Sequence, residues 1–583
     1  GEREGEAMAR DAFGNMLIVY ITPMKALATE ITGKFQKSLG YLSGSVMEVT
    51  GDTQLSGMEL QKVNVMVCTP EKWDVLGRRA VGEDSPLNRQ TLLILDEVHL
   101  LGTGRGAVIE TLVMRTLQHT EITQKPIRIM ALSATVPNVN DVAEFLRIPE
   151  TSRHVFGPEW RPIPLAQRFI GVKDPKATNR KREREMARER DPMAEESAAD
   201  RKRKERQQRM GEDEVMDSIV LDIVREEVMK GRQCLVFLHS RAGTTNMCQY
   251  LMGQDIPGID NIDPHLKQQR SRIAAKCRNP DLGPLLQEGF GFHNAGLARS
   301  DRLNVEKLFR DGALRVLSCT ATLAWGVNLP AHTVIIRGTD VYSSEKGGMI
   351  DLNILDVQQI FGRAGRPQFQ AEGYGVLITK QAKLPQYMRQ LLNQAPLESV
   401  MISHLTDILN AEIVLGNIST LREAVTYMSS SFLDVRMKYN PLFYGSSCTG
   451  VARQSSMDRL REVCRAAIEN LVRLRIASFN QKADIVSTTE LGRVASQYYV
   501  DPESVARFAS AFSECHSNDG VLSYKKLLAL LATSKEFESL RVRREEQGEI
   551  DSLSGCVDRV KETFEGGSDG GGGRGRKSGK GKG

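Results

Sequence analysis

Hydrophobic positions along this chain follow two patterns, and the change from one to the other divides it. From Met16 to Leu146, short continuous apolar runs alternate with stretches of helical periodicity, and the alternation resumes from Cys234 to Arg337. Short apolar runs closed by polar or small residues predict strands buried on both faces, as in parallel sheets covered by helices on each side. In the first set these are Met16–Ile21 (MLIVYI), the run ending at Val49, Val65–Cys68, Leu92–Leu95 and Ile127–Leu132. In the second they are Cys234–Leu238, Leu314–Ser318 and Val334–Arg337. Beyond Ile402 the period becomes helical, through Ile402, Leu405, Ile408, Leu409 and Ile413 and again through Leu460, Val463, Ala467, Ile468, Leu471 and Leu474. Thr420-Leu421-Arg422-Glu423 is a capping box that starts a further helix. Ile476–Asn480 and Ala483–Thr488 predict a two-stranded ribbon about Gln481-Lys482, and helices followed by such a ribbon predict a winged helix. The fold class expected is α/β: two parallel-sheet domains, a winged-helix domain and further helices.

Chemistry in open α/β sheets sits at the carboxyl ends of the strands. Leu92–Leu95 runs straight into Asp96 and Glu97 and then His99. Two acids at such a place suit metal-assisted phosphoryl transfer, with Asp96 holding a hydrated Mg2+ and Glu97 orienting and deprotonating the attacking water. The other strands of the first set end in Thr22-Pro23-Met24-Lys25, Thr50-Gly51, Thr69-Pro70 and Ser133-Ala134-Thr135. Hydroxyls, glycines and helix starts hold phosphate oxygens through O–H and backbone N–H groups. Singly, each is an ordinary strand-to-helix turn; their recurrence ahead of an acidic strand end points to a phosphate-rich ligand. Downstream, Arg363 and Arg366 lie three apart, on one face if helical, and with Gln359 they suit a clamp on the γ-phosphate of a nucleotide held by the first layer.

Composition changes this picture little. Of 583 residues 40% are hydrophobic, enough for several buried cores, and a formal net charge of +5 means that any basic groove is local. Nine cysteines without a C-x-x-C pair argue against a zinc site or a disulfide framework. No apolar run reaches spanning length and the first residues, GEREGEAMARDAFG, have no signal-peptide character, so the expectation is a protein without a membrane partner, nuclear or cytoplasmic. Residues 173–214 mix both charges densely and predict a solvated helix or disordered insertion, with Arg201–Lys204 as an alternative nucleic-acid or nuclear-import contact. The tail 566–583 is rich in Gly, Lys and Arg and predicts a flexible cationic tether.

Taken in order, Ile21–Leu27 (ITPMKAL), Val67–Lys72 (VCTPEK), Asp96–His99 (DEVH), Ser133–Thr135 (SAT), Thr320–Pro330 (TATLAWGVNLP) and Gln359–Pro367 (QIFGRAGRP) resemble the motifs of Ski-type superfamily-2 DExH helicases. Asp351–Phe369 and Leu409–Gly416 (LNAEIVLG) are most similar to the tandem-cassette group of that branch. The resemblance implies RecA-like helicase domains over 1–172 and 215–396, a winged-helix domain over 397–500 that braces both, the start of a helical ratchet bundle over 501–565, and ATP with Mg2+ as cofactors. It implies a 3′-to-5′ translocase on single-stranded RNA or DNA with adjacent duplex, RNA before DNA, working as a subunit of a larger complex. On this resemblance Pro23, Lys25, Thr50, Gly51, Thr69, Pro70, Arg241, His293 and Thr320 hold the strand, and His99, Ser133, Ala134 and Thr135 couple nucleotide state to grip. Gly326 and Asn328 line the nucleotide with Gln359, Arg363 and Arg366. A hairpin over Arg337–Asp356 carries Tyr342 to the duplex junction. One departure stands out: family members carry a glycine-rich phosphate loop ahead of the first of these motifs, and no G-x-x-x-x-G-K-[ST] occurs in these 583 residues. The expectation is a piece of one helicase cassette, inactive in ATP hydrolysis as it stands; the alternative is a pseudo-helicase cassette that scaffolds protein or RNA.

Overall fold

In the computed structural model, the residues described are 16–39, 45–51, 53, 57–79, 86–134, 136–173, 198–321, 323, 329–343, 348–365, 372–392, 396–445, 455–517 and 523–538. The first sheet contains β1 (Leu17–Ile21), β2 (Val46–Val49), β3 (Val65–Cys68), β4 (Gln90–Leu95) and β5 (Arg128–Ala131), all parallel, in the order β2-β3-β1-β4-β5. Its register matters more than its order. Val49, Cys68, Ile21, Leu95 and Ala131 lie side by side in one row. The segments that follow them, Thr50-Gly51, Thr69-Pro70, Thr22–Lys25, Asp96-Glu97 and Leu132–Ala134, therefore leave the sheet along one rim.

The second sheet is built the same way from β6 (Leu165–Val172), β7 (Cys234–Leu238), β8 (Phe290–His293), β9 (Val316–Thr320) and β10 (Thr333–Arg337). The chain then forms the antiparallel hairpin β11 (Asp340–Ser343) and β12 (Gly348–Asp351) before returning as β13 (Gly373–Lys380). Strand order is β6-β13-β10-β7-β9-β8, again all parallel. The central strands are buried throughout, β7 on all five residues, which is why they read as unbroken apolar runs.

Here the expected end of the first domain at residue 172 is corrected. Leu165–Val172 pairs along its whole length with β13 and forms the edge of the second sheet. Arg161 already belongs there, donating to the carbonyls of Ile163, Phe361 and Ala364. An edge strand needs little apolar surface, and in LAQRFIGV only Val172 is fully buried, so no apolar run marked it. Within the charged stretch 173–214, residues from Ala198 on start a 32-residue helix, Ala198–Met229, and 174–197 lie outside the described residues. Its second half turns Met216, Val220, Val224 and Val228 into the core of the second domain, while Asp213 and Asp217 pair with Arg337 of β10.

The winged-helix region follows as expected, with helices Leu405–Val414, Leu421–Met428 and Ser456–Arg473, the ribbon β14 (Ala477–Asn480) and β15 (Ile485–Thr488), and the helix Glu490–Tyr498. The Thr420 hydroxyl accepts from Glu423 N at 3.0 Å; the Glu423 carboxylate turns back to Ser419, one residue earlier than a standard box. The winged-helix region packs on the first domain, and Leu355 of the second domain's helix Ile354–Phe361 packs against the same core. Among the described residues the winged-helix region's ion pairs run to the first domain: Arg78 to Asp407 at 2.8 Å, Arg115 to Glu412 at 2.7 Å, and Arg436 to Asp141. The two regions share one hydrophobic core, in which Leu112 and Val113 lie with Leu409, Phe432 and Ile468.

Candidate nucleotide and nucleic-acid sites

Asp96 and Glu97 sit where β4 leaves the sheet. The Asp96 N–H donates to Ile21 O at 2.9 Å, and its carboxylate accepts from the Tyr20 hydroxyl and the Glu97 N–H, both at 3.0 Å. Glu97 has φ 55° and ψ 48°, a left-handed conformation that disfavours a side chain with a Cβ and is characteristic of functional turns. The turn aims its carboxylate at His99, with Oε2 3.2 Å from Nδ1, and the same nitrogen lies 3.3 Å from Ser133 Oγ. Burial pushes His99 down to about 4, so the imidazole is neutral at neutral pH and meets Glu97 as a hydrogen-bond partner. Burial and the neighbouring Asp96 push Glu97 up to about 7, and Arg363 of the second domain opposes them. That is the range a general base needs near neutral pH.

Among the described residues no three His, Cys, Asp or Glu side chains converge on one metal position. Magnesium takes one or two carboxylates and keeps most of its waters, and the Asp96 carboxylate, which accepts two hydrogen bonds, has lone pairs to spare for such an ion.

The arginine segment is corrected in one respect. The helix Ile354–Phe361 stops before Arg363, so Arg363 lies in a turn beyond it. Gly365, at φ 93°, ends the helical path, and a Cβ there would meet Ile163 at 2.8 Å. The turn is fixed to the second sheet by Ala331 N–H to Arg363 O at 3.0 Å and Gly365 N–H to Ala331 O at 2.7 Å. Gln359, on the helix, has a buried Oε1 that accepts no hydrogen bond from the described residues. Thr135, Gly326, Asn328 and Arg366 lie outside the described residues; Ser133 and Ala134 are exposed on the rim.

A cavity of about 980 Å³ opens on the same rim and gathers Pro23, Lys25, Gly51 and Thr69. Thr50 and Pro70 stand behind it: the Thr50 hydroxyl faces Glu48 at 3.5 Å, and Pro70 opens the helix Pro70–Arg79. Sequence reasoning missed Lys72, Arg79 and Arg105, which also line the cavity. Arg105 donates to Pro23 O and pairs with Glu71 at 3.2 Å, and Lys72 donates to Thr53 O at 2.7 Å. A Cβ on Gly106 would meet Leu101 O at 1.9 Å, so the turn that carries Arg105 requires glycine at 106.

In the second domain, Arg241 starts the helix Arg241–Met252, capped by Ser240, whose Oγ accepts from Gly243 N at 2.9 Å. Thr320 ends β9 beside Leu238. His293 is only 5% exposed, its Nε2 2.9 Å from Glu306 Oε1, so the expected strand contact is corrected: the ring is internal, and the exposed Ala295-Gly296 is what this segment presents. Tyr342 stands exposed on the hairpin. Lys383 ties the two legs together through Asp340 and Asp351, and Tyr387 Oη donates to Leu352 O at 2.7 Å.

Comparison with known proteins adds four family matches. A DEAD/DEAH box helicase model covers residues 6–142 and the helicase conserved C-terminal domain 285–368. A winged helix-turn-helix domain covers 398–481 and a Sec63 Brl domain 488–566. The chain is 40% identical over 545 residues, 93% of its length, to activating signal cointegrator 1 complex subunit 3 of Dictyostelium discoideum. It is also 40% identical over 549 residues (93%) to the RQC trigger complex helicase SLH1 of Saccharomyces cerevisiae, and over 544 residues (92%) to the DExH-box ATP-dependent RNA helicase DExH14 of Arabidopsis thaliana. It spans 23%, 26% and 23% of those three relatives, about a quarter of each. Among the described residues no helix is long and apolar enough to cross a membrane.

Proposed function

The chain belongs to the Ski-type superfamily-2 DExH helicases, and from that premise we propose that the intact protein is an ATP-driven 3′-to-5′ translocase acting on single-stranded RNA next to a duplex. The observation that carries this reading is the placement of Asp96 and Glu97 at the end of β4, on the rim where Thr22–Lys25 and Thr69-Pro70 also leave the sheet, with Arg363 of the second domain close enough for its charge to act on Glu97. A base and a cation on opposite domains suit a γ-phosphate bound between them.

In this reading Asp96 would hold magnesium through water, and the ion, when bound, would supply charge neutralisation at the phosphates. Glu97 orients the attacking water and takes its proton, handing orientation on to His99. Arg363 and Arg366, with Gln359, stabilise charge on the phosphate in flight, and Gly326 and Asn328 line its second-domain side. Ser133, Ala134 and Thr135 with His99 link nucleotide state to the rim. There Pro23, Lys25, Gly51 and Thr69, supported by Thr50 and Pro70 and joined by Arg241 and Thr320, hold sugar-phosphate without reading bases. The relatives' names describe complex subunits and an RNA helicase, which supports RNA as substrate and membership of a larger complex; a nuclear or cytoplasmic location is proposed with them.

The 583-residue chain itself is proposed to hydrolyse ATP slowly or not at all, because its sequence holds no phosphate loop to supply the main β- and γ-phosphate contacts. RNA-stimulated ATPase assays on this chain and on Glu97→Gln test the point. Robust hydrolysis abolished by Glu97→Gln would show that the loop is dispensable. Strand binding with no turnover even in the intact protein would favour the scaffold alternative.

A further inference from the structure

We propose that Tyr498 is a stacking shelf for a base of the strand held in the first-domain cavity, a contact supplied from the winged-helix side. The proposal deepens the strand-site reading above and rests on it. Tyr498 is the last residue of the helix Glu490–Tyr498, is 70% exposed, and lines the cavity that also holds Pro23 and Lys25.

A lone exposed tyrosine means nothing, since folded proteins carry many exposed apolar groups. Three observations separate this one. First, its backbone is pinned on both sides. Arg79 Nε donates to Gln497 O at 3.3 Å, and the Arg78 guanidinium lies 4.4 Å from the ring centroid of Tyr499. Arg78 is itself locked between Asp74 at 3.0 Å and Asp407 at 2.8 Å. Second, Tyr499 adopts φ 58°, an unfavourable conformation for a bulky residue, and this break ends the helix at Tyr498; both tyrosines line the cavity, Tyr499 with Arg78 over its ring and Tyr498 the more exposed of the two. Third, among the described residues the cavity around Tyr498 carries Lys25, Lys72, Arg79 and Arg105 and one carboxylate, Glu71, which pairs with Arg105. Arg105 and Lys72 are oriented by the backbone carbonyls of Pro23 and Thr53.

A held aromatic face beside a cationic groove is the chemistry that binds single-stranded nucleic acid without sequence preference: cations take the phosphates and the ring takes any base. An acidic peptide would satisfy the cations and leave the ring unused. Because the winged-helix region and the first sheet share one core, the shelf moves with the first domain. It acts as a fixed grip, and its contribution is independent of nucleotide.

The test is fluorescence anisotropy of a labelled oligouridylate with the 583-residue chain, without nucleotide, across a salt series. Tyr498→Ala should weaken binding about 5- to 150-fold, the range of one lost base–aromatic stack. Tyr498→Trp and Tyr498→Phe should bind within a few fold of wild type. The salt slope of Tyr498→Ala should match wild type, whereas Arg105→Ala should lower it by about 1. An abasic oligonucleotide of equal length should bind wild type and Tyr498→Ala alike. Wild-type affinity in Tyr498→Ala would overturn the shelf while leaving the strand site standing. A wild-type chain that binds no oligonucleotide would overturn the strand site and the shelf together. Tight binding of polyglutamate with the same Tyr498 dependence would overturn the shelf in favour of an acidic protein partner.

Discussion

The carboxyl of Glu97 lies between opposing influences: burial and Asp96 raise its pKa to about 7, and Arg363 lowers it. A general base works only when deprotonated, so turnover by the intact protein should climb between about pH 6 and 8, with a midpoint near 7. His99 does not contribute to that limb, since burial holds it at about 4. Arg363→Ala should do two things together. It should reduce turnover by about 10³–10⁵, as the loss of an arginine finger does, and it should move the acidic limb of the residual activity upward, because the cation that favours the carboxylate is gone. Arg366→Ala should match the loss of rate, and strand affinity should survive both changes. A limb that stayed in place in Arg363→Ala would separate that arginine from Glu97. At this scale the sequence was legible where chemistry follows an apolar run, as at Asp96, Lys25 and Thr69, because the buried strand announces the rim. Lys72, Arg105 and Tyr498 were not legible. They sit on helices and a turn where nothing in the local pattern separates a ligand-facing cation or ring from an ordinary surface one.

Among the elements, the hairpin β11–β12 is the one whose function its sequence suggested most directly, and its legs pair as expected, with Asp340 opposite Asp351 and Tyr342 opposite Met349. Two carboxylates facing each other at its base would repel, and Lys383 lies on both, with Lys380 on Asp340 at 2.7 Å. The base of the hairpin is therefore tied to the second domain. Shortening Ser343–Gly348 in the intact protein should spare strand-stimulated ATPase and lower duplex unwinding, and Lys383→Ala should do the same more weakly by loosening the base. Unwinding at the wild-type rate in the shortened protein would reduce the hairpin to a surface loop. Elements whose burial matched their hydrophobicity were readable in this way, hairpin and central strands alike. β6 was not, because pairing at a sheet edge is driven by backbone hydrogen bonds to β13, and its side chains carry almost no trace of it. The helix Ala198–Met229 blurs a boundary for a related reason: one element begins in charged sequence and ends in the core, so composition changes in the middle of a helix.

For the whole molecule, the consequential interface is between the first sheet and the winged-helix region, where buried charge is concentrated. Arg115 is bonded to Asp74 and Glu412, and Asn138 exchanges hydrogen bonds with the Leu397 backbone. Glu110 is different, for among the described residues no cation pairs with it. Its carboxyl is fully buried and accepts from Leu433 N at 2.8 Å and Ser399 Oγ at 2.7 Å. Burial raises it to about 7 against an ordinary 4.5, and those two bonds only partly offset the loss of water. The folded state therefore holds a proton that the unfolded chain releases between about pH 4.5 and 7. The stability linked to that proton is fully present below about 4.5 and is lost as pH rises through 7. Glu110→Gln preserves shape and an acceptor but cannot ionise. Its urea midpoint should be close to wild type at pH 4 and should exceed it increasingly up to pH 7 and 8, by an amount equivalent to about 3 kcal/mol at most. Asp96 and Glu97 are also raised by burial and titrate in both proteins, so the difference between the two curves isolates Glu110. Parallel curves across the whole range would mean that Glu110 stays ionised in the fold and that the winged-helix interface tolerates a bare buried charge. A widening gap would mean that the joint between the motor and its brace weakens as pH rises through neutrality, in the same range where Glu97 becomes a competent base.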